Sequence, residues 1–370
     1  MKKPFLGTSS GYIPTLDGWR ALAILLVLIF HSKVYTVGFL TTRPISHFGV
    51  FGVYLFFGIS GLLICTRLLE EEEITSRLHL RGFYVRRSLR ILPAALLYLA
   101  VTATLMKLGI LPRGWRAVVF SLSFVRNYLG TAPGAYSTAH FWSLSVEEHF
   151  YLFLPVFLLL VKKYRVRILF FLGTVSIVCN IYDQHLRGTI QGTLECSLFL
   201  LFPAGLAVLL QRKPVRQWFT KFIQPRFILP ICFVILAILP AGFPLIAVVP
   251  ALLISSTLLH PKSAVSAFLE LTPVRFIGKI SFGLYLWQQV IFNGRFDPSN
   301  NPFGALHSFP WNFLLVGVLA TSSYYLVEKP CMRLGHRLAK PAIPGRPELN
   351  SLQTPDVHSS NKADVDAVNS

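Results

Sequence analysis

The chain has 370 residues, of which 53% are hydrophobic and only 14% charged, and it carries a formal net charge of +19. That balance is too apolar for an ordinary water-soluble domain of this size and marks a polytopic membrane protein. The cations do not point to nucleic acid: they cluster in short segments between apolar runs, no nucleic-acid motif accompanies them, and they read as topology signals.

Residues 1–13 read as a short cytoplasmic leader. The first apolar run is long enough to span a bilayer and no small-residue cleavage site follows it, so it reads as a retained helix. Further spans are expected near residues 48–69, 89–110, 143–161, 167–182, 194–211, 226–241, 243–260, 277–293 and 309–328, after a first near 16–36. Around Pro240, Gly242 and Pro244 the pattern fits either a tight helical hairpin or one kinked helix. The fold class is therefore all-α, a polytopic membrane bundle of about ten transmembrane helices, occupying residues 14–337. From 338 to 370 the chain turns to Pro, Asn, Ser, Gln and Asp and is expected to be a disordered tail.

One set of loops contains Arg77, Arg81, Arg86, Arg87 and Arg90, then Lys162, Lys163, Arg165 and Arg167, then Arg212, Lys213, Arg216, Lys221 and Arg226, and later Lys262, Arg275 and Lys279. The opposite loops hold far fewer cations, chiefly Arg43, Arg113, Arg116, Arg126, Arg187 and Arg295. By the positive-inside rule both termini are cytoplasmic. The five cysteines form no CxxC or Cys/His spacing; they read as small buried hydrophobes, and no metal site is expected.

An ionisable residue inside an apolar run is a functional candidate by default, and His31 is the first. It lies eleven residues beyond Arg20, which on a helix is roughly 20° past three full turns with a rise of about 16 Å. The two share one face at different depths. A neutral imidazole in that position suits a general base, although a buried histidine that only bonds a neighbouring helix fits the position equally. Arg20 is either a lipid-phosphate anchor or the cation at the mouth of a cleft lined by that face. In the loop before the third span, Arg87 and Arg90 are three apart and Arg86 adjoins them; guanidinium forks suit bidentate phosphate, and the alternative is anchoring to anionic lipid. Glu70–Glu73 reads as a solvated turn or an arginine partner.

The fourth span opens with Phe141-Trp142-Ser143-Leu144-Ser145-Val146-Glu147-Glu148. Ser145 and Glu148 fit a capping box, while Glu147, about 7 Å in from Trp142, or Glu148 could orient the His31 imidazole or hold an acceptor hydroxyl. In the ninth span Tyr285 and Trp287 read as belt or packing aromatics, and Gln288 and Gln289 as interhelical hydrogen-bonding groups.

Taken together, Leu16-Asp17-Gly18-Trp19-Arg20 followed by His31, the Arg87-Ser88-Leu89-Arg90 box, Trp142-Ser143-Leu144-Ser145-Val146-Glu147-Glu148, and Ile280-Ser281-Phe282-Gly283-Leu284-Tyr285-Leu286-Trp287 resemble acyltransferase family 3. Its bacterial members include polysaccharide O-acetyltransferases. The match runs from about residue 12 to 337, with the motifs in the family's order. The resemblance implies a ten-helix domain of the bacterial inner membrane. It would transfer an acyl group, of the acetyl class, from cytosolic acyl-CoA to a hydroxyl of a carbohydrate, lipid-linked glycan, lipid or small molecule.

The resemblance also carries residues. The family's R-x10-H pattern falls on Arg20 and His31 and its RxxR pattern on Arg87 and Arg90; Asp17, Trp142, Ser145, Tyr285 and Trp287 belong to the matching motifs. Many relatives have a histidine where this chain has Gln288, so no imidazole role transfers to that position. Longer relatives carry a soluble esterase-like domain after the last helix, and none is expected within residues 338–370. The rival reading is a secondary transporter or flippase in which His31, Arg20 and Glu147 form an intramembrane ion or substrate site. It predicts paired half-broken helices from an internal repeat, and the sequence has no convincing repeat.

Overall fold

The computed structural model describes residues 12–32, 44–130, 134–187, 192–239, 243–292 and 308–339. Most of the expected leader, the expected tail beyond Ala339, and Arg43 and Arg295 lie outside the described residues. The first helices are α1 (Pro14–Ser32), α2 (Pro44–Thr75), α3 (Leu80–Lys107), α4 (Trp115–Leu122), α5 (Phe141–Leu160), α6 (Arg165–Arg187) and α7 (Thr193–Leu210). They are followed by α8 (Lys213–Phe222), α9 (Pro225–Ile238), α10 (Val248–Leu259), α11 (Ala264–Leu269), α12 (Thr272–Lys279), α13 (Ser281–Ile291), α14 (Trp311–Ser323) and α15 (Lys329–Leu338). No strand occurs among the described residues.

Five helical stretches, in α1, α2, α3, α5 and α6, are long and apolar enough to cross a bilayer, and a sixth forms if α7 is counted with α8, which bends from it by 111°. The other four expected spans correspond to shorter helices: α9, α10, α13 and α14 have 14, 12, 11 and 13 residues. Length and composition therefore do not by themselves reach ten. A π-helical turn, Tyr324–Glu328, joins α14 to α15. Phe170, Phe171, Phe227, Ile231, Phe233 and Val234 on α6 and α9 are all more than half exposed, an apolar band too large for a water-facing surface and suited to lipid. The chain is a multi-pass membrane protein.

Several of the cation-rich segments are helical rather than loops, including Arg165 and Arg167 in α6 and Arg275 and Lys279 in α12. The segment after α7 is α8, which exposes Trp218 and Phe222 on a helix that also carries Lys213, Arg216 and Lys221; its turn away from α7 suits an interfacial helix. Arg86, Arg87 and Arg90 lie inside α3, because Pro93 is accommodated within that helix and the apolar run that follows is continuous with the basic one. Glu70–Glu73 likewise belongs to α2. Glu70 pairs with Arg67 at 3.1 Å and Glu72 with Arg165 at 2.6 Å, so these carboxylates are arginine partners.

α1 is the axis of the bundle, packed by α2, α10, α11, α12 and α13, and Ala21, Ala23, Ile24 and Val27 are fully buried. Small residues let backbones approach in a membrane, where lipid is as apolar as the core. At Gly278 of α12 a Cβ would collide with the backbone of Asp17, and at Gly18 with Leu269 of α11. These two close approaches fix the end of α1 that carries Asp17 and Arg20.

Candidate functional site

The site grows from that end of α1. Asp17 accepts hydrogen bonds from Arg20 Nη1 at 2.8 Å and from the Tyr12 hydroxyl, which in turn accepts from Arg275 of α12 at 3.1 Å. Burial, and then the Asp17 carboxylate, push the Tyr12 phenol up to about 12, so it remains a proton donor to Asp17. Trp19 donates to Thr257 of α10 at 2.9 Å and Thr15 to Glu270 at 2.6 Å. Asp17 thus holds the Arg20 guanidinium in place.

Arg20 lies six residues into α1 and Arg87 seven residues into α3, which is about 9 and 10 Å along their axes. The two helices contribute guanidinium groups from near their N-terminal ends, and Arg20, Arg87 and Arg90 are close enough to repel one another. Arg87 is held by Glu147 of α5 at 3.4 Å and stacks 3.7 Å over the Tyr151 ring. Glu147 also accepts from the hydroxyls of Ser60 on α2 and Tyr151. Arg90 has no salt bridge within 4 Å among the described residues, although Asp17, Glu147 and, beside the π turn, Glu328 attract it. Arg86 does not join this group. It turns toward Glu71 and Gly82, because neighbouring positions on a helix point about 100° apart.

The partners of Glu147 come from three helices. Ser60, one of them, lies sixteen residues into α2 from Pro44, about 24 Å along the axis, and with Arg87 it places Glu147 where α2, α3 and α5 meet. The capping box does not form: α5 starts at Phe141, and Ser145, inside the helix, donates to the Phe141 carbonyl at 2.8 Å and accepts from the Arg126 amide at 3.2 Å. Glu148 is left with a buried Oε1 that has no hydrogen-bond partner.

His31 lies on the unbroken α1, so its phase relative to Arg20 is helical throughout. Its Nδ1 meets the Val27 carbonyl at 2.9 Å. An N–H there would make Nε2 the free, basic nitrogen. The carbonyl, rather than Glu147 or Glu148, fixes this ring. Tyr285 and Trp287 of α13 are buried packing residues and not belt aromatics. Tyr285 donates to the His140 carbonyl at 2.7 Å and meets Ser143 Oγ at 2.6 Å, while Trp287 packs against Tyr98, centroids 5.6 Å apart. Trp142 packs edge-on against Phe57 at 6.2 Å. Gln289 donates to the Tyr136 carbonyl at 2.9 Å, an interhelical bond of the expected kind, and Gln288 donates to Gln289 at 3.3 Å.

His140 was not singled out by the sequence. It is 4% exposed, lies close enough to His31 to interact electrostatically, and has neither ring nitrogen hydrogen-bonded. The signal was present: it is an ionisable residue directly before the apolar fourth span, the same argument that selected His31.

A family model for the acyltransferase domain matches residues 13–328. A provisionally named O-acetyltransferase of Staphylococcus aureus (strain COL) is 29% identical over 366 residues, covering 88% of this chain and 58% of the relative. O-acetyltransferase OatA of Staphylococcus aureus (strain NCTC 8325 / PS 47) is 28% identical over 366 residues, covering 89% of this chain and 58% of that protein. The chain thus spans about 58% of the length of the curated relatives it matches. No solved structure matches it. The family match covers α1 to the π turn and includes every motif residue gathered around Arg20, Arg87 and His31, and the chain belongs to acyltransferase family 3.

Proposed function

We propose that this protein is a membrane acyltransferase that moves an acyl group, of the acetyl class, from acyl-CoA to a hydroxyl of a glycan, lipid or small-molecule acceptor. The observation that carries the proposal is the placement of polar groups along α1: guanidinium groups of two helices within electrostatic reach of one another, and His31 on the same face about 16 Å further in. Family membership and the O-acetyltransferase names of the relatives support transfer to oxygen. The basic end would face the cytosol, with both termini on that side of a bacterial inner membrane; the Lys and Arg distribution supports this orientation.

In this reading Arg90, with Arg20 and Arg87, takes the CoA phosphates, since guanidinium forks match phosphate oxygens. The pantetheine arm follows the α1 face and presents the thioester near His31. His31 Nε2 removes the acceptor hydroxyl's proton as the oxygen attacks the carbonyl carbon, and returns it to the departing thiolate. A positioned base of this kind contributes about 10² to 10⁴-fold. CoA release from labelled acetyl-CoA by detergent-solubilised protein tests the proposal, because chemistry needs no closed membrane and transport does. His31→Ala is expected to lose activity in that range; near-wild-type turnover at normal expression rejects the assignment.

A further inference from the structure

Neutral imidazole always carries one N–H donor and one acceptor nitrogen. At His140 both are buried and neither has a hydrogen-bond partner, an arrangement that takes both groups out of water without compensation. A histidine held in this way is unexplained by packing alone, because an aromatic of similar size would fill the space without that cost. The ring is fixed on three sides, by Tyr98 at 5.1 Å, Phe141 at 4.9 Å and Tyr285 at 5.3 Å between centroids. Tyr285 is in turn locked by hydrogen bonds to Ser143 and to the His140 backbone.

A second donor lies in the same cluster. The Trp287 indole can only donate, its Nε1 is buried without an acceptor, and its ring packs edge to face on the same Tyr98 that His140 touches. The cluster therefore holds two N–H donors on rigid aromatic supports, within electrostatic reach of the His31 imidazole.

Resting on the acyl-transfer reading, we propose that His140, with Trp287 beside it, supplies the N–H donors that hold the carbonyl oxygen of the thioester as it gains negative charge. As the acceptor oxygen bonds to the carbonyl carbon, its proton goes to His31 Nε2 and the carbonyl electron pair moves onto oxygen, where the His140 N–H meets it. When that pair returns, the carbon–sulfur bond breaks, the sulfur leaves with its electrons, and the proton on His31 passes to it. Donors already fixed where charge develops act mainly on the transition state, and losing one costs about 10² to 10³-fold in turnover.

The test measures CoA release from labelled acetyl-CoA, with the acetyl group passing to water or to the hydroxyls of an added polysaccharide, by the purified, detergent-solubilised full chain. His140→Phe is expected to lower kcat about 10² to 10³-fold with the acyl-CoA KM moved less than about threefold, since the interaction belongs to the transition state. His140→Gln, which restores an N–H, is expected to recover at least about tenfold of that loss. Should His140→Phe fail to purify as a folded protein, Trp287→Phe decides instead, with a kcat loss of about tenfold or more. A kcat within about threefold of wild type in the deciding variant, or no recovery with Gln, overturns the inference. Wild-type activity that His31→Ala abolishes and His140→Phe leaves intact overturns this inference alone. No turnover of acetyl-CoA by the wild-type protein overturns the acyl-transfer reading beneath it.

Discussion

The Arg87–Glu147 pair is the joint between α3 and α5, and its charge can be removed with little change of shape. Glu147→Gln keeps a carbonyl oxygen for the Ser60 and Tyr151 hydroxyls but withdraws the countercharge from a guanidinium whose side chain is 17% exposed and whose Nε has no partner. Removing one member of a buried pair costs about 3–5 kcal/mol, because the remaining charge stays desolvated. Glu148 attracts the same guanidinium, so the loss here falls at the lower end, about 3 kcal/mol. Removing the cation as well, in Glu147→Gln/Arg87→Met, leaves no uncompensated charge and is expected to recover most of it. Denaturant unfolding in detergent micelles, followed by tryptophan fluorescence, measures all three variants. A loss under about 1 kcal/mol for Glu147→Gln, or single-variant losses that simply add in the double variant, would refute the argument that the two groups are coupled in a dry site.

Arg90→Gln and Arg87→Gln should raise the acyl-CoA KM with a smaller change in kcat, since phosphate contacts are remote from the reacting carbonyl and bind ground and transition states alike; unchanged KM in both variants would count against a phosphate role. Gly278→Ala pushes a methyl group into the backbone at Asp17, which should cost about 1–3 kcal/mol and weaken acyl-CoA binding through the displaced Asp17–Arg20 pair; wild-type thermal stability and KM would contradict this. The Tyr12 phenol, raised to about 12 by burial and Asp17, keeps its proton in the folded state above the ordinary value of about 10. Its contribution to stability is complete below pH about 10 and is lost as pH rises toward 12. Tyr12→Phe should flatten the fall in thermal stability across that interval, and an unchanged slope would dismiss the contribution.

Much of the site was legible locally. The phase of Arg20 and His31 follows from the helical repeat alone, and α1 is unbroken between them. Arg87 and Arg90 likewise needed only three-residue spacing within α3. Arg86 adjoins Arg87 in sequence but points toward Glu71 and Gly82, because successive positions on a helix diverge by about 100°. The capping reading of Ser145 failed because the local S-x-x-E pattern carries no information that the helix begins at Phe141, four residues earlier.

What the sequence by itself determined was the membrane class, the helical character and the motif residues, because apolar run length and side-chain periodicity are properties of neighbouring positions. Only the tertiary structure decided that Glu147 holds Arg87 from sixty residues away, that Val27 rather than a carboxylate orients His31, and that His140 lies within electrostatic reach of it with both nitrogens unsatisfied. Those outcomes depend on which helix faces which, and at what depth. Close approaches such as Gly278 on Asp17 set that geometry, and no local pattern encodes it.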